Sequence, residues 1–198
     1  QRAFAAATSG RPGPVVVSLP EDMLRDTATV ADAAPWVQTE IYPGLTQMAQ
    51  LQKLLWSAAR PFVIAGGSRW SEAAVAGLRR FAELFDLPVG TSFRRQMLFD
   101  NDHRNYAGDV GIGINPKLVD HVRDADLLLV VGPVLSAVTP SGYTLLDVPE
   151  PKQALVHVHP GAEELGRVYR PDLPILAAPE PFAAAVAGLR VEPRWRDW

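Results

Sequence analysis

Apolar positions along the chain follow two rhythms. Met48, Leu51, Leu55 and Ala58 recur at helical spacing, with Leu54 widening the stripe. Directly after Arg60-Pro61, the run Phe62 to Ala65 is continuously apolar and stops at Gly66-Gly67. The pattern predicts a helix capped near Thr46, then a strand buried on both faces. The plan repeats. Val75, Leu78, Ala82 and Phe85 predict a helix beginning near Ser71, and Leu87 opens a short strand that ends at Thr91-Ser92. Asn115-Pro116 supplies an N-cap and first-turn pair for a helix carrying Leu118, Val119 and Val122. "DLLLVVG", Asp126 to Gly132, is the clearest buried strand; "ALVHVH", Ala154 to His159, and "PILA" from Pro174 add two more, and a helix from Pro179 closes the series. Strands alternating with helices predict an α/β fold, a doubly wound parallel sheet of about five strands over residues 46–190.

The opening residues do not fit that plan. A helix-like "QRAFAAAT" and a Pro12-Gly13 turn precede "PVVVSLP", Pro14 to Pro20, a run of β-branched residues that reads as a buried strand. Such a strand needs a sheet, and about a dozen upstream residues cannot supply one. The sequence from Asp26 to Thr46, rich in Ala, Thr and Pro without sustained period, reads as a linker. A chain that starts at Gln1 inside a helical pattern is expected to be a piece of something longer.

Composition narrows the partners. The formal net charge is −3 with 21% charged residues, and Lys and Arg are scattered, so neither nucleic acid nor an anionic membrane is an expected partner. There is no cysteine, which excludes disulfides and thiolate chemistry and fits a cytoplasmic setting. No apolar run reaches the ~18 residues of a membrane span.

In a doubly wound sheet, ligands bind outside the carboxyl ends of the strands. The candidate loops there are Gly66-Gly67-Ser68, Thr91-Ser92, Gly108 to Gly113, Gly132-Pro133-Val134 and His159-Pro160-Gly161. Glycines either let backbone approach a ligand or simply end strands. His157 and His159, two apart on a strand, share a face, but no third ligand is dictated nearby, so a metal is not expected. Asp100, Asp102 and Asp109 read as solvated loop charge, Tyr143 and Thr144 as possible crevice lining, and Ser71 and Glu72 as a helix start. None of the phosphate-loop, nucleophile-elbow, zinc-helix or dinucleotide-fingerprint motifs is present, and no catalytic residue is assigned.

The segments "GRPGPVVVSLPEDML", "RPFVIAGG", "LPVGTSF", "DADLLLVVG" and "VHVHPGAEELGRVYRPDLPI" resemble, in that order, the middle of thiamine diphosphate-dependent enzymes of the acetolactate synthase type. The resemblance implies three consecutive α/β domains in a parent enzyme. Residues 1–25 would be the end of a pyrimidine-binding domain, 26–45 a linker, 46–190 the Rossmann-like central domain, and 191–198 the start of a connection to a pyrophosphate-binding domain. The parent would use thiamine diphosphate and magnesium, held by its outer domains, to make or break a carbon-carbon bond beside the carbonyl of a 2-keto acid. It would assemble as a homo-oligomer, a dimer or tetramer. This chain alone would be inactive.

Some relatives carry FAD, ADP or a CoA nucleotide on the central domain, and the positions matching those loops are Gly66, Gly67, Thr91, Ser92, Gly108, Gly111, Gly132, His157 and His159. Two departures argue against FAD. An Arg-Phe-Asp-Asp-Arg-like stretch is replaced by "GPVLSAV", and an I-D-I-D-P pattern by "VHVHP"; a histidine cannot accept two hydroxyls as a carboxylate does. The competing expectation is a free-standing nucleotide-binding module of sirtuin-like or electron-transfer-flavoprotein-like fold.

Overall fold

In a computed structural model, residues 1–190 and 192 are described, and they divide into two compact units, 1–40 and 41–198. The predicted connection at 191–198 lies, apart from Glu192, outside the described residues.

In the first unit, helix α1 (Arg2–Thr8) is followed by chain without strand or further α-helix, with one 3-10 turn at Met23–Arg25. Trp36 Nε1 donates to Thr8 Oγ1 at 3.0 Å, and Gln1 Nε2 to Ala34 O at 3.0 Å. The predicted strand at 14–20 does not form: the segment has no ladder, and Val16 is 93% exposed. The cause is the absence of a neighbouring strand in this unit, since β-branched residues favour extended backbone but cannot hydrogen-bond it alone.

The second unit is a sheet of six strands, all parallel, in the order β3-β2-β1-β4-β5-β6. The strands are β1 (Pro61–Ala65), β2 (Val89–Ser92), β3 (Tyr106–Val110), β4 (Leu127–Val131), β5 (Ala154–His159) and β6 (Leu173–Leu176). Helices α2 (Leu45–Ser57), α3 (Glu72–Phe85) and α5 (Pro179–Val186) share one core with the odd-numbered residues of β1 and β4. Helix α4 (Pro116–Asp124) and the irregular segment after β4, with Leu135, Leu145 and Leu146, close the opposite face. Every residue of β1 and β4 is buried, which is why both read as continuous apolar runs.

Three sequence expectations are corrected. There are six strands, because "YAGDV" forms β3 at the sheet edge; Gly108 and Asp109, expected in a loop, pair with Gly90 and Thr91 of β2. Helix α2 is capped by Gly44 rather than Thr46, with Gln47 Oε1 accepting from Gly44 N at 3.1 Å. On α3 the buried stripe is Ala74, Gly77, Leu78, Phe81, Ala82 and Phe85, and Val75 is only half-buried. Gly77 sits there because α5 crosses it: a Cβ would lie 2.9 Å from Ala183 Cβ.

The helix starts of α3 and α4 follow the sequence closely. Ser71 Oγ accepts from Ala74 N at 3.1 Å, and Asn115 Oδ1 accepts from Lys117 N at 2.9 Å, with Pro116 in the first turn. Asn115→Ala is expected to cost about 1 kcal/mol, read as a lower urea midpoint with an unchanged slope; an unchanged midpoint would show that the cap contributes nothing.

Candidate functional site

Strand order reverses between β1 and β4, so the crevice of a doubly wound sheet is expected at their carboxyl ends. Protein fills that place. Gly66 and Gly67 leave β1 while Gly132 leaves β4, and the two turns interlock. A Cβ on Gly67 would overlap the Gly132 carbonyl oxygen, and one on Gly132 would overlap that of Gly66. A Cβ on Gly66 would strike the Ser92 side chain and come within 2.9 Å of Pro133 Cβ. Trp70 Nε1 donates to Gly66 O at 2.6 Å and fills more of the space. These glycines admit neighbouring backbone.

The other predicted positions separate. Thr91 and Ser92 are buried within β2, and Thr91 Oγ1 lies 3.1 Å from Tyr106 Oη. Gly108 is a strand residue at φ +122, where a Cβ would stand 3.2 Å from Leu118 of α4. Gly111 follows β3 and packs on Phe93, and Ser141 Oγ donates to its carbonyl at 3.1 Å. Burial pushes the Asp109 carboxyl up from its ordinary range, against an opposing hydrogen bond from Gln96.

His157 and His159 do share a face, with ring centroids 5.9 Å apart. Both are buried, at 1% and 2% exposure. His157 Nε2 donates to Pro133 O at 3.0 Å, and His159 Nδ1 accepts from Gly161 N at 2.9 Å. Burial lowers the His157 pKa from 6.5 to about 4, its bond to Pro133 opposing the shift and His159 reinforcing it. It is therefore neutral at pH 7, held as the Nε2-H form by the carbonyl it donates to.

His157 lines a cavity of about 60 Å³ with Leu135, Tyr143, Glu164, Arg167 and Tyr169. Glu164, 7% exposed, accepts from Arg167 Nη1 at 3.1 and 3.3 Å. The Tyr169 hydroxyl is buried with no hydrogen-bond partner among the described residues, and burial raises its pKa. Glu164, Arg167 and Tyr169 all lie in "EELGRVYRP", a stretch that carries the family resemblance but predicts no site; the Glu164-to-Arg167 spacing of three is the signal that could have found the pair. A larger cavity of about 620 Å³ runs along the outer edge, between β3 and α4, lined by Asp86, Arg104, Asn105, Asn115, Lys117 and His121. Of the predicted nucleotide positions, Gly108 alone reaches it.

Among the described residues, no group of three or more His, Cys, Asp or Glu is placed to hold a metal. Nor is any helix among them long and apolar enough to cross a membrane.

An open parallel α/β domain in this strand order, with its switch point filled by interlocked turns, defines the class as a Rossmann-like domain. Comparison supplies the family. The family model of the thiamine pyrophosphate enzyme central domain matches residues 48–186, and the chain belongs to that family. It is 30% identical to the acetolactate synthase of Mycobacterium bovis over 179 residues, covering 88% of this chain and 28% of that protein. A probable acetolactate synthase large subunit of Methanocaldococcus jannaschii is likewise 30% identical, over 182 residues and 30% of its length. The chain thus spans less than a third of these relatives. Among solved structures, a benzoylformate decarboxylase from Polynucleobacter necessarius superposes with a TM-score of 0.75 at 22% identity, covering 98% of this chain and 36% of that one; at that identity the likeness is one of fold. The chain is accordingly a thiamine pyrophosphate enzyme central domain, similar in sequence to part of acetolactate synthases.

Proposed function

We propose that this domain serves a longer enzyme that uses thiamine diphosphate and magnesium to make or break the carbon-carbon bond beside the carbonyl of a 2-keto acid. The family match over residues 48–186, with relatives more than three times the length matched, carries the reading. The cofactor is expected outside this chain, because the family match is to the central domain alone and the relatives extend well beyond it. Its diphosphate and metal are therefore assigned to other domains of the parent. Residues 1–25 are read as the end of a preceding pyrimidine-binding domain, a reading supported by the unpaired, exposed Val15, Val16 and Val17. Residues 26–45 are read as the linker, and 191–198 as the way to a pyrophosphate-binding domain.

The domain's own role is assembly, within a homo-oligomeric enzyme. At the ends of β4 and β5 a flavin, ADP or CoA nucleotide would need more room than the cavity of about 60 Å³ beside His157, since ligand pockets run to about 300–1,000 Å³. Calorimetry of the 198-residue chain is expected to show no heat with thiamine diphosphate and magnesium, and none with FAD. The longer polypeptide is expected to consume a 2-keto acid only when thiamine diphosphate is supplied. Micromolar binding of the cofactor by the chain itself, or turnover without it, would overturn the reading.

A further inference from the structure

The cavity of about 620 Å³ between β3 and α4 is separate from the interlocked turns at Gly66-Gly67 and Gly132, and its size is that of a ligand pocket. Phe62, Pro88, Ala107 and Leu118 give it an apolar wall. Its titratable groups are of both signs: Asp86, Arg104, Asp109, Lys117 and His121. Arg104 Nη2 donates to Asp86 Oδ1 at 2.8 Å, so these two offset each other. Lys117, exposed in the first turn of α4, makes no ion pair among the described residues.

Asn105 is the unusual member of this lining. It is 6% exposed, and its Nδ2 donates to Leu87 O and to Asp86 Oδ1, each at 3.1 Å. Two acceptors on that side fix the orientation of the amide, so its other atom is an oxygen. That Oδ1 has no hydrogen-bond partner among the described residues, and the same holds for one carboxylate oxygen of Asp109, Oδ1. A buried acceptor left without a donor bears its full desolvation penalty. A hydroxyl that reached it from the cavity would relieve that penalty. The start of α4 does not suit a diphosphate, because Pro116 has no N–H and Lys117 N already donates to Asn115 Oδ1 at 2.9 Å. A strand added to the outer edge of β3 is also the poorer fit: the register shifts between Val89 and Gly90, and Gly108 stands at φ +122.

We propose that the cavity between β3 and α4 binds a small hydroxylated organic anion, a polyol phosphate or a hydroxy acid, with a hydroxyl donating to Asn105 Oδ1 and the anionic group at the Lys117 ammonium. Hydroxyls both donate and accept, which suits a polar wall of mixed sign, and the carbon skeleton lies against the apolar wall. The site holds whatever reaction the longer enzyme performs.

Calorimetry and amide NMR spectra of the 198-residue chain are recorded with glycerol 3-phosphate and with glycerate, and with inorganic phosphate and glycerol as probes of each feature alone. At least one of the two hydroxylated anions is expected to bind tenfold or more tightly than either simple probe, and to shift the side-chain amide resonances of Asn105. Glycerol 3-phosphate as the tighter ligand identifies a polyol phosphate, and glycerate a hydroxy acid. Lys117→Gln is expected to weaken that binding tenfold or more at an unchanged urea midpoint, since the side chain is exposed. Ala107→Leu, which fills the cavity, is expected to abolish it, and Lys53→Gln on α2 to leave it unchanged. Failure of both hydroxylated anions to bind, or equal binding by the Lys117→Gln chain, would overturn the proposal. So would inorganic phosphate binding as tightly as they do, which marks an adventitious ion only. Binding by the chain that disappears in the longer polypeptide would overturn it too, by making the cavity a seam between domains.

Discussion

Replacing Gly67 by alanine is expected to lower the unfolding free energy of the 41–198 unit by about 3–5 kcal/mol. Two effects combine. Gly67 sits at φ +72, in the left-handed region, where an L side chain costs about 1–2 kcal/mol. Its new methyl group would also overlap the Gly132 carbonyl oxygen, and that obstacle is backbone and cannot rotate away. The turn after β4 is anchored by Gly132 N donating to Val158 O at 2.8 Å, and the facing turn by Gly66 N donating to Val131 O at 3.0 Å. Relief would have to break the sheet's own ladder. Gly113→Ala separates the two effects: Gly113 is at φ +78, and a methyl group there would meet nothing within 4 Å, so only the conformational cost of about 1–2 kcal/mol remains. Urea midpoints with equal slopes measure both. Equal losses at the two positions would mean that the turns are not interlocked, and would return Gly67 to the role of a ligand-facing glycine.

The same contrast separates what a sequence discloses from what it hides. β1, β4 and β5 are legible because a strand covered on both faces has to be apolar at nearly every position. β3 is not: as an edge strand its first four residues are only half-buried, and Gly108 and Asp109 there look like punctuation. The helix starts at Ser71 and Asn115 are legible because a cap is local. The glycines after β1 and β4 are visible as glycines, but their purpose depends on which strands lie side by side. Gly66 meets Ser92 and Pro133, 26 and 67 positions away, and no local pattern encodes that meeting. The shared face of His157 and His159 follows from the period of a strand, while the Pro133 carbonyl that His157 meets is 24 residues distant. Family resemblance reaches further than local pattern here because it carries register and topology along with composition.

Acid is expected to destabilise the 41–198 unit through His157. In the folded state burial holds this imidazole at about 4, against 6.5 when free. Between those values the unfolded chain binds a proton that the folded chain refuses, so stability rises with pH. The contribution is fully present above pH 6.5 and is lost as pH falls toward 4. A difference of about 2.5 pK units corresponds to roughly 3 kcal/mol. Two carboxylates contribute in acid with opposite signs. Asp109, raised by burial, favours the folded state when protonated and softens the acid loss; Glu83, lowered by its bonds to Arg79 and His103, deepens it. The difference between wild type and His157→Gln isolates the histidine, because glutamine keeps an N–H donor for the Pro133 carbonyl and does not titrate. Denaturant unfolding measured from pH 7.5 down to about pH 4 is expected to fall some 3 kcal/mol more steeply for wild type than for the glutamine variant. Parallel curves would show that His157 can be protonated in place. The bond to Pro133 would then no longer mark a sealed neutral histidine, and the strand ends of β4 and β5 would be open enough to admit a charged ligand.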